Sequence, residues 1–174
     1  MQYPSARARK IKLLALDVDG VLTDGRVYIS DKGEECKAYN IRDGLGMKML
    51  QECGVRIALI SGRNSASVEA RAQDIGIAFL YQGVEDKVAV FEKLIRELDL
   101  EPQQSAFMGD DLVDLPAMRR AGFALTVADA PAVVKERAHY VTRSVGGQGA
   151  VREACEFIMQ AQGTLEDRVA PYLK

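Results

Sequence analysis

Apolar residues along this chain fall into short, near-continuous runs, separated by segments in which they recur every three or four positions. The runs are 12–18 (KLLALDV), 55–60 (VRIALI), 77–81 (IAFLY), 105–108 (SAFM) and 123–127 (FALTV), with a weaker one at 139–142 (HYVT). Such runs suit strands of a parallel sheet covered on both faces. The segments between them predict helices. Residues 44–53 place Leu45, Met49, Leu50 and Cys53 on one side. Residues 65–75 follow a Ser/Asn cap region and stop before Gly76, and 85–99 bring Val88, Phe91, Leu94, Ile95 and Leu98 near one stripe. Residues 113–121, 131–138 and 149–162 complete the set. Alternating strands and helices predict an open α/β fold, a doubly wound parallel sheet with helices on both faces.

One segment breaks the alternation. Residues 26–39 (RVYISDKGEECKAY) read as two β-like runs around Ser30-Asp31-Lys32-Gly33, a β-hairpin inserted directly after the first strand. With no repeat, linker or low-complexity tract, the 174 residues read as one domain, with 163–174 as a C-terminal tail.

Composition narrows the functional classes. Hydrophobic residues make up 48% and charged residues 28%, and the formal net charge is −2. That profile is soluble and globular and carries no strong basic field for nucleic acid. Arg7, Arg9, Lys10 and Lys12 read as a solvated N-terminal arm. Apolar runs are too short for a bilayer, and no secretory signal pattern opens the chain. Cys36, Cys53 and Cys155 form no CxxC pair, consistent with reduced thiols in the cytoplasm. A single histidine, His139, leaves no partners for histidine-based metal sites or triads.

The candidate chemistry is acidic. The first strand runs into Asp17-Val18-Asp19-Gly20, and the 105–108 strand into Gly109-Asp110-Asp111-Leu112-Val113-Asp114. Open parallel sheets bind ligands beyond the carboxyl ends of their strands, where both clusters fall. At about 4 Å and an effective dielectric near 20, each like-charged pair costs about 4 kcal/mol. Such a gathering calls for a cation or for raised pKa values. An all-oxygen donor set suits Mg2+ better than zinc or copper. Ser61-Gly62-Arg63 follows the 55–60 strand and leads into a helix, which suits phosphate oxygens. Lys87 sits at a helix N-terminus, against the dipole preference, and so points to an anion nearby. Read singly, each feature also has an ordinary role as a turn, a cap or an exposed side chain.

Together, in this order and spacing, the four features resemble the motifs of the haloacid dehalogenase-like hydrolase superfamily, over almost the whole chain. DVDGVLTDG at 17–25 resembles its first motif, Ser61 its second, Lys87 its third and GDDLVD at 109–114 its fourth. The resemblance implies a Rossmann-like core. It implies that Asp17 attacks phosphorus and that Asp19 transfers the proton. It also implies that Mg2+ is held by Asp17, the Asp19 carbonyl and Asp110, supported by Asp111 and Asp114, while Ser61 and Lys87 hold the phosphoryl oxygens.

A cap domain has no room. Only 41 residues separate Asp19 from Ser61, and 25 separate Ser61 from Lys87. The chain is similar to the capless branch also in YNIRDGLGMKML at 39–50, SGR at 61–63 and GGQGAVRE at 146–153. That likeness implies an eight-carbon sugar-acid phosphate as substrate, on the route to lipopolysaccharide. It further implies a homotetramer in which the hairpin and a neighbouring subunit complete the site. Gly62, Arg63, Arg42, Gly147 and Gly149 are the candidate substrate contacts. Arg42 and Asp43 reach the mouth of the site or cap helix 44–53, and the glycines form a binding loop or a connector. The hairpin, apolar at Val27, Tyr28 and Ile29, packs on partners or on its own domain. Rival readings are a nine-carbon sugar-acid phosphatase, a phospho-receiver domain and a non-catalytic assembly subunit. Asp19 and the intact acid–lysine set argue against the last two.

Overall fold

A computed structural model describes residues 3–33 and 35–174. Its elements are α1 (Pro4–Ala8), β1 (Leu13–Leu16), β2 (Tyr28–Ile29), β3 (Glu35–Cys36), α2 (Ile41–Glu52), β4 (Arg56–Ile60), α3 (Ala66–Ile75), β5 (Phe79–Tyr81) and α4 (Lys87–Glu97). They continue with β6 (Ser105–Met108), α5 (Leu115–Arg120), β7 (Phe123–Thr126), α6 (Ala132–Lys135), β8 (Tyr140–Val141), α7 (Ala150–Gln162) and α8 (Leu165–Val169).

Six strands form one parallel sheet in the order β5-β4-β1-β6-β7-β8. The chain builds outward from β1 through β4 and β5, then returns to lay β6 against the other side of β1. The crevice at a sheet's carboxyl edge opens at such a reversal. Leu13–Leu16, Ser105–Met108 and Phe123–Thr126 are buried at every position, as strands covered on both faces require. The α/β sheet and the six sheet strands agree with the sequence pattern.

The helices show where the pattern misleads. α2 begins at Ile41, capped by the Asn40 side chain, which accepts from the Arg42 N–H at 2.8 Å. Its buried residues are Asp43, Gly44, Gly46, Met47, Met49 and Leu50, while Leu45 faces outward. Gly44 and Gly46 hide this register from a search for apolar periodicity. At Gly46 an added Cβ would lie 2.8 Å from Arg152 Cδ, so the glycine lets α2 approach α7 closely. Asp43, expected at the site or as a cap of its own helix, caps α7 instead: its Oδ1 accepts from the Arg152 N–H at 2.7 Å.

The segments 3–12 and 163–174 both pack onto the body. The segment read as a solvated arm carries α1, with Ala8 fully buried and Arg7 donating to the Gly122 carbonyl at 2.6 Å. The segment read as a tail forms α8 and a 3-10 turn over Ala170–Leu173, and Leu165 and Val169 pack against the core. The hairpin is a two-residue ladder, Tyr28 opposite Cys36 and Ile29 opposite Glu35. Val27, Tyr28 and Ile29 are all exposed on it.

Candidate active site

β1 and β6 end side by side, and the acids lie where their backbones stop pairing. Asp17 is the first residue beyond β1, and its N–H still donates to the Met108 carbonyl at 2.9 Å. The carboxylate oxygens of Asp17, Asp110 and Asp114 come within 4.8 Å of one another. Asp17 and Asp114 are buried, as is Lys87. The Lys87 Nζ reaches Asp17 Oδ1 at 2.8 Å and Asp114 Oδ1 at 2.7 Å.

The local folding follows from this crowding. Asp114 is fully buried, and its second oxygen accepts from the N–H groups of Asp110 and Asp111 at 3.0 and 3.2 Å. Those bonds curl the loop after β6 so that Asp110 faces Asp17. On the opposite loop, Thr23 Oγ1 accepts from the N–H groups of Gly20 and Gly25, both at 3.2 Å. Gly20 has φ of +87°, and a Cβ there would fall 2.1 Å from Asp110 Oδ2. Only glycine fits both the conformation and the space.

Electrostatics match this geometry. Burial, reinforced by Asp114, raises the Asp17 pKa to about 6 even with Lys87 beside it. Burial, then Asp17, Asp114 and Asp111, raises that of Asp110 to about 7. Burial works against the Lys87 ammonium, but Asp17 and Asp114 outweigh it and hold the lysine above its ordinary pKa. Negative charge therefore exceeds what one lysine neutralises. Asp114 is engaged on both oxygens, which leaves Asp17 and Asp110 as the side chains suited to a hard divalent cation. All donors are oxygen, so the residues fit Mg2+.

Ser61 follows β4, is buried, and extends the sheet by donating its N–H to the Tyr81 carbonyl at 2.9 Å. Asp17, Asp19, Ser61, Lys87, Asp110 and Asp111 line a single cavity of about 390 Å3. Gly62 and Arg63 stand at its rim. Asp111 spends its carboxylate on the Leu112 N–H at 2.7 Å and so caps its own turn. Arg42, Gly147 and Gly149 lie elsewhere in the chain. The Gly147 N–H donates to the Val21 carbonyl at 3.0 Å, behind the Asp17–Gly25 loop. Arg42 and Gly149 line a separate groove with Arg143 and Arg152.

Two site residues escaped the sequence reading. Lys37 forms an ion pair with Asp19 Oδ1 and reaches Glu35 Oε1 at 2.9 Å, and Glu35 pairs in turn with Arg63. The available signal was the period of two along β3, which puts Glu35 and Lys37 on the face opposite Cys36.

Comparison with known proteins identifies the family. A family model described as haloacid dehalogenase-like hydrolase matches residues 34–122. The 3-deoxy-D-manno-octulosonate 8-phosphate phosphatase of Yersinia pestis is 47% identical over 160 residues, covering 92% of this chain and 86% of that protein. A probable phosphatase from Pseudomonas syringae superposes with a TM-score of 0.97 at 51% identity, covering 98% of this chain and 97% of the other. The Moraxella catarrhalis 3-deoxy-D-manno-octulosonate 8-phosphate phosphatase, solved with magnesium, phosphate and KDO, gives a TM-score of 0.95 at 40% identity, covering 97% of each chain.

Proposed function

The chain belongs to the haloacid dehalogenase-like hydrolase family, and on that premise we propose that it hydrolyses 3-deoxy-D-manno-octulosonate 8-phosphate through a phosphoryl-Asp17 intermediate. The observation that carries this reading is the floor of the cavity. There the Asp17 carboxylate is buried, held by Lys87, and set beside Asp110 and Ser61.

In the first half of the reaction a carboxylate oxygen of Asp17 attacks phosphorus, and the bond from phosphorus to the sugar oxygen breaks. Asp19 gives its proton to that oxygen, so the sugar acid leaves as an alcohol. Lys87 and the Ser61 hydroxyl bind the phosphoryl oxygens and counter the charge that spreads over them. In the second half a water attacks phosphorus, Asp19 takes its proton, and Asp17 is restored as inorganic phosphate departs. Mg2+, held by Asp17, Asp110 and the Asp19 carbonyl, supplies positive charge against the phosphoryl group. Asp114 and Asp111 hold the loop that presents Asp110.

An open cavity needs further walls to discriminate one sugar acid from another. Arg63 at the rim is suited to the substrate's carboxylate. Arg42, Gly147 and Gly149 lie outside the cavity of their own chain, so their contribution is assigned to the site of a neighbouring copy in a homotetramer. The exposed apolar hairpin supports that assembly, since a lone two-stranded ribbon is marginal in water. The product is a precursor for lipopolysaccharide, which suits a cytoplasmic enzyme. Among the described residues no helix is long and apolar enough to cross a membrane.

A panel of phosphorylated sugar acids, assayed with and without Mg2+, tests this reading. The eight-carbon 8-phosphate is expected to give the highest kcat/KM, and only with the metal. A preference for the nine-carbon 9-phosphate would transfer the chain to that activity. A long-lived phosphoaspartate without turnover would make it a receiver domain.

A further inference from the structure

Lys37 is an anomaly on its own hairpin. Its neighbours Cys36 and Ala38 are exposed, yet only 2% of the Lys37 side chain is accessible. Burying an ammonium is costly unless carboxylates compensate it. Here two do so, Asp19 on the loop after β1 and Glu35 two residues back on β3. Glu35 is itself tied to Arg63 on the loop after β4. Asp19, Lys37, Glu35 and Arg63 thus form a chain of alternating charge from one active-site loop to the other, with the hairpin as its middle.

From this geometry we infer that Lys37 is a positioning residue for the proton-transfer carboxyl of Asp19. The inference rests on the function proposed above, in which Asp19 is the acid and base. Lys37 holds Oδ1, which fixes the rotamer of the side chain and leaves Oδ2 to carry the proton to the leaving oxygen. Lys37 neither gives nor takes a proton. Without it the Asp19 carboxyl, on a glycine-rich loop beside open solvent, samples orientations in which Oδ2 misses the leaving group. Displacement of a reacting group by about 1 Å is enough to cost on the order of 100-fold in rate. Because Lys37 arrives on the hairpin, whatever holds the hairpin also sets the aim of the acid.

The test uses the dependence on leaving group. Formation of phosphoryl-Asp17 requires a proton for a sugar alkoxide but hardly for p-nitrophenolate, and kcat/KM covers binding and that step but not hydrolysis of the intermediate. Lys37→Met is expected to lower kcat/KM for the sugar-acid phosphate by about 10- to 100-fold, within the range a general acid contributes. The loss for p-nitrophenyl phosphate is expected to be at least about tenfold smaller. In an Asp19→Asn background the same substitution should have little further effect, because the two act as one unit. Lys37→Arg, which restores the charge, should recover part of the loss and serves as the second variant if Lys37→Met does not fold. Equal losses on both substrates, or losses that multiply in the double variant, would overturn the inference. If Asp19→Asn itself spares the sugar phosphate, the function proposed above fails, and the two failures are thereby distinguished.

Discussion

The cavity has a floor and a rim, built from the same kinds of charged side chain on very different supports. The floor, Asp17, Lys87, Asp110 and Asp114, stands at the ends of β1 and β6 and at the start of α4. These elements are pinned by the buried sheet, with the Asp17 N–H bonded to the Met108 carbonyl and the Asp110 and Asp111 N–H groups bonded to Asp114. The rim, Asp19 and Arg63 with their ion-pair partners Lys37 and Glu35, hangs from loops and from a hairpin whose ladder is two residues long. Electrostatic catalysis depends on groups that need not reorganise during reaction. The floor meets that demand alone, whereas the rim meets it only as far as the hairpin is held.

Substitution at the floor should therefore break the enzyme outright. Asp17→Asn keeps the shape and removes the nucleophile of the proposed mechanism. It is expected to lower kcat by at least about 10^4-fold, as loss of a covalent catalytic residue does elsewhere. Circular dichroism should stay native, which separates the loss from unfolding. Lys87→Met comes next. It is expected to lower kcat by about 10^2- to 10^3-fold through lost phosphoryl stabilisation. It also leaves Asp17 and Asp114 buried without their cation, so denaturant titration without metal should show about 3–5 kcal/mol less stability. A variant active within tenfold of the parent would remove Lys87 from the mechanism.

The contrast between floor and rim also explains what the sequence made legible. The apolar runs that become β1, β4, β6 and β7 are buried on both faces, so their composition alone marks them. The acids of the floor follow directly at their ends and are equally visible. The register of α2 is hidden because two of its buried positions are glycines, Gly44 facing Arg71 of α3 and Gly46 facing α7, and a glycine carries no hydrophobic signal. The role of Asp43 is hidden because its partner, Arg152, is more than one hundred residues away in sequence. Lys37 is hidden for another reason. A lysine on an exposed hairpin reads as solvated, and only the fold brings Asp19 within its reach. Local patterns reveal what local burial dictates, and long-range charge pairing must be seen in space.

The floor's charge makes a smaller, reversible prediction. Asp17 and Asp110 are raised in the folded state, to about 6 and about 7, from an ordinary value of 3.8. Well below pH 3.8 both states are protonated. Between there and pH 7 the unfolded chain releases protons that the folded one retains. Stability present at low pH is therefore lost as pH rises through 6 and 7. The metal-free enzyme should melt at least about 5 °C lower at pH 8 than at pH 5, a shift of about 1.3–2.5 kcal/mol for a chain of this size. Saturating Mg2+ should cancel the difference, because it stabilises the ionised pair. A metal-free melting temperature that instead climbs from pH 5 to 8 would contradict the electrostatics of the floor.

The rim yields the smallest effect on the single chain and the most informative about its support. Ile29 is 68% exposed on β2, with Val27 and Tyr28 beside it. Removing an exposed side chain changes the stability of an isolated domain by only about 0.5 kcal/mol. Ile29→Ser should therefore leave the unfolding free energy of a dilute, dissociated chain nearly untouched. If the hairpins of several copies bury these residues together, the same substitution weakens association, and light scattering should show a smaller particle at a given concentration. Loss of the assembly should also lower kcat/KM for the sugar-acid phosphate more than for p-nitrophenyl phosphate, because a hairpin without its support lets Lys37 drift from Asp19. A particle of unchanged size would mean that the hairpin is held by its own chain. The aim of Asp19 would then rest on the Glu35–Arg63 pair, and Arg63→Ala should take over as the substitution that separates the two substrates.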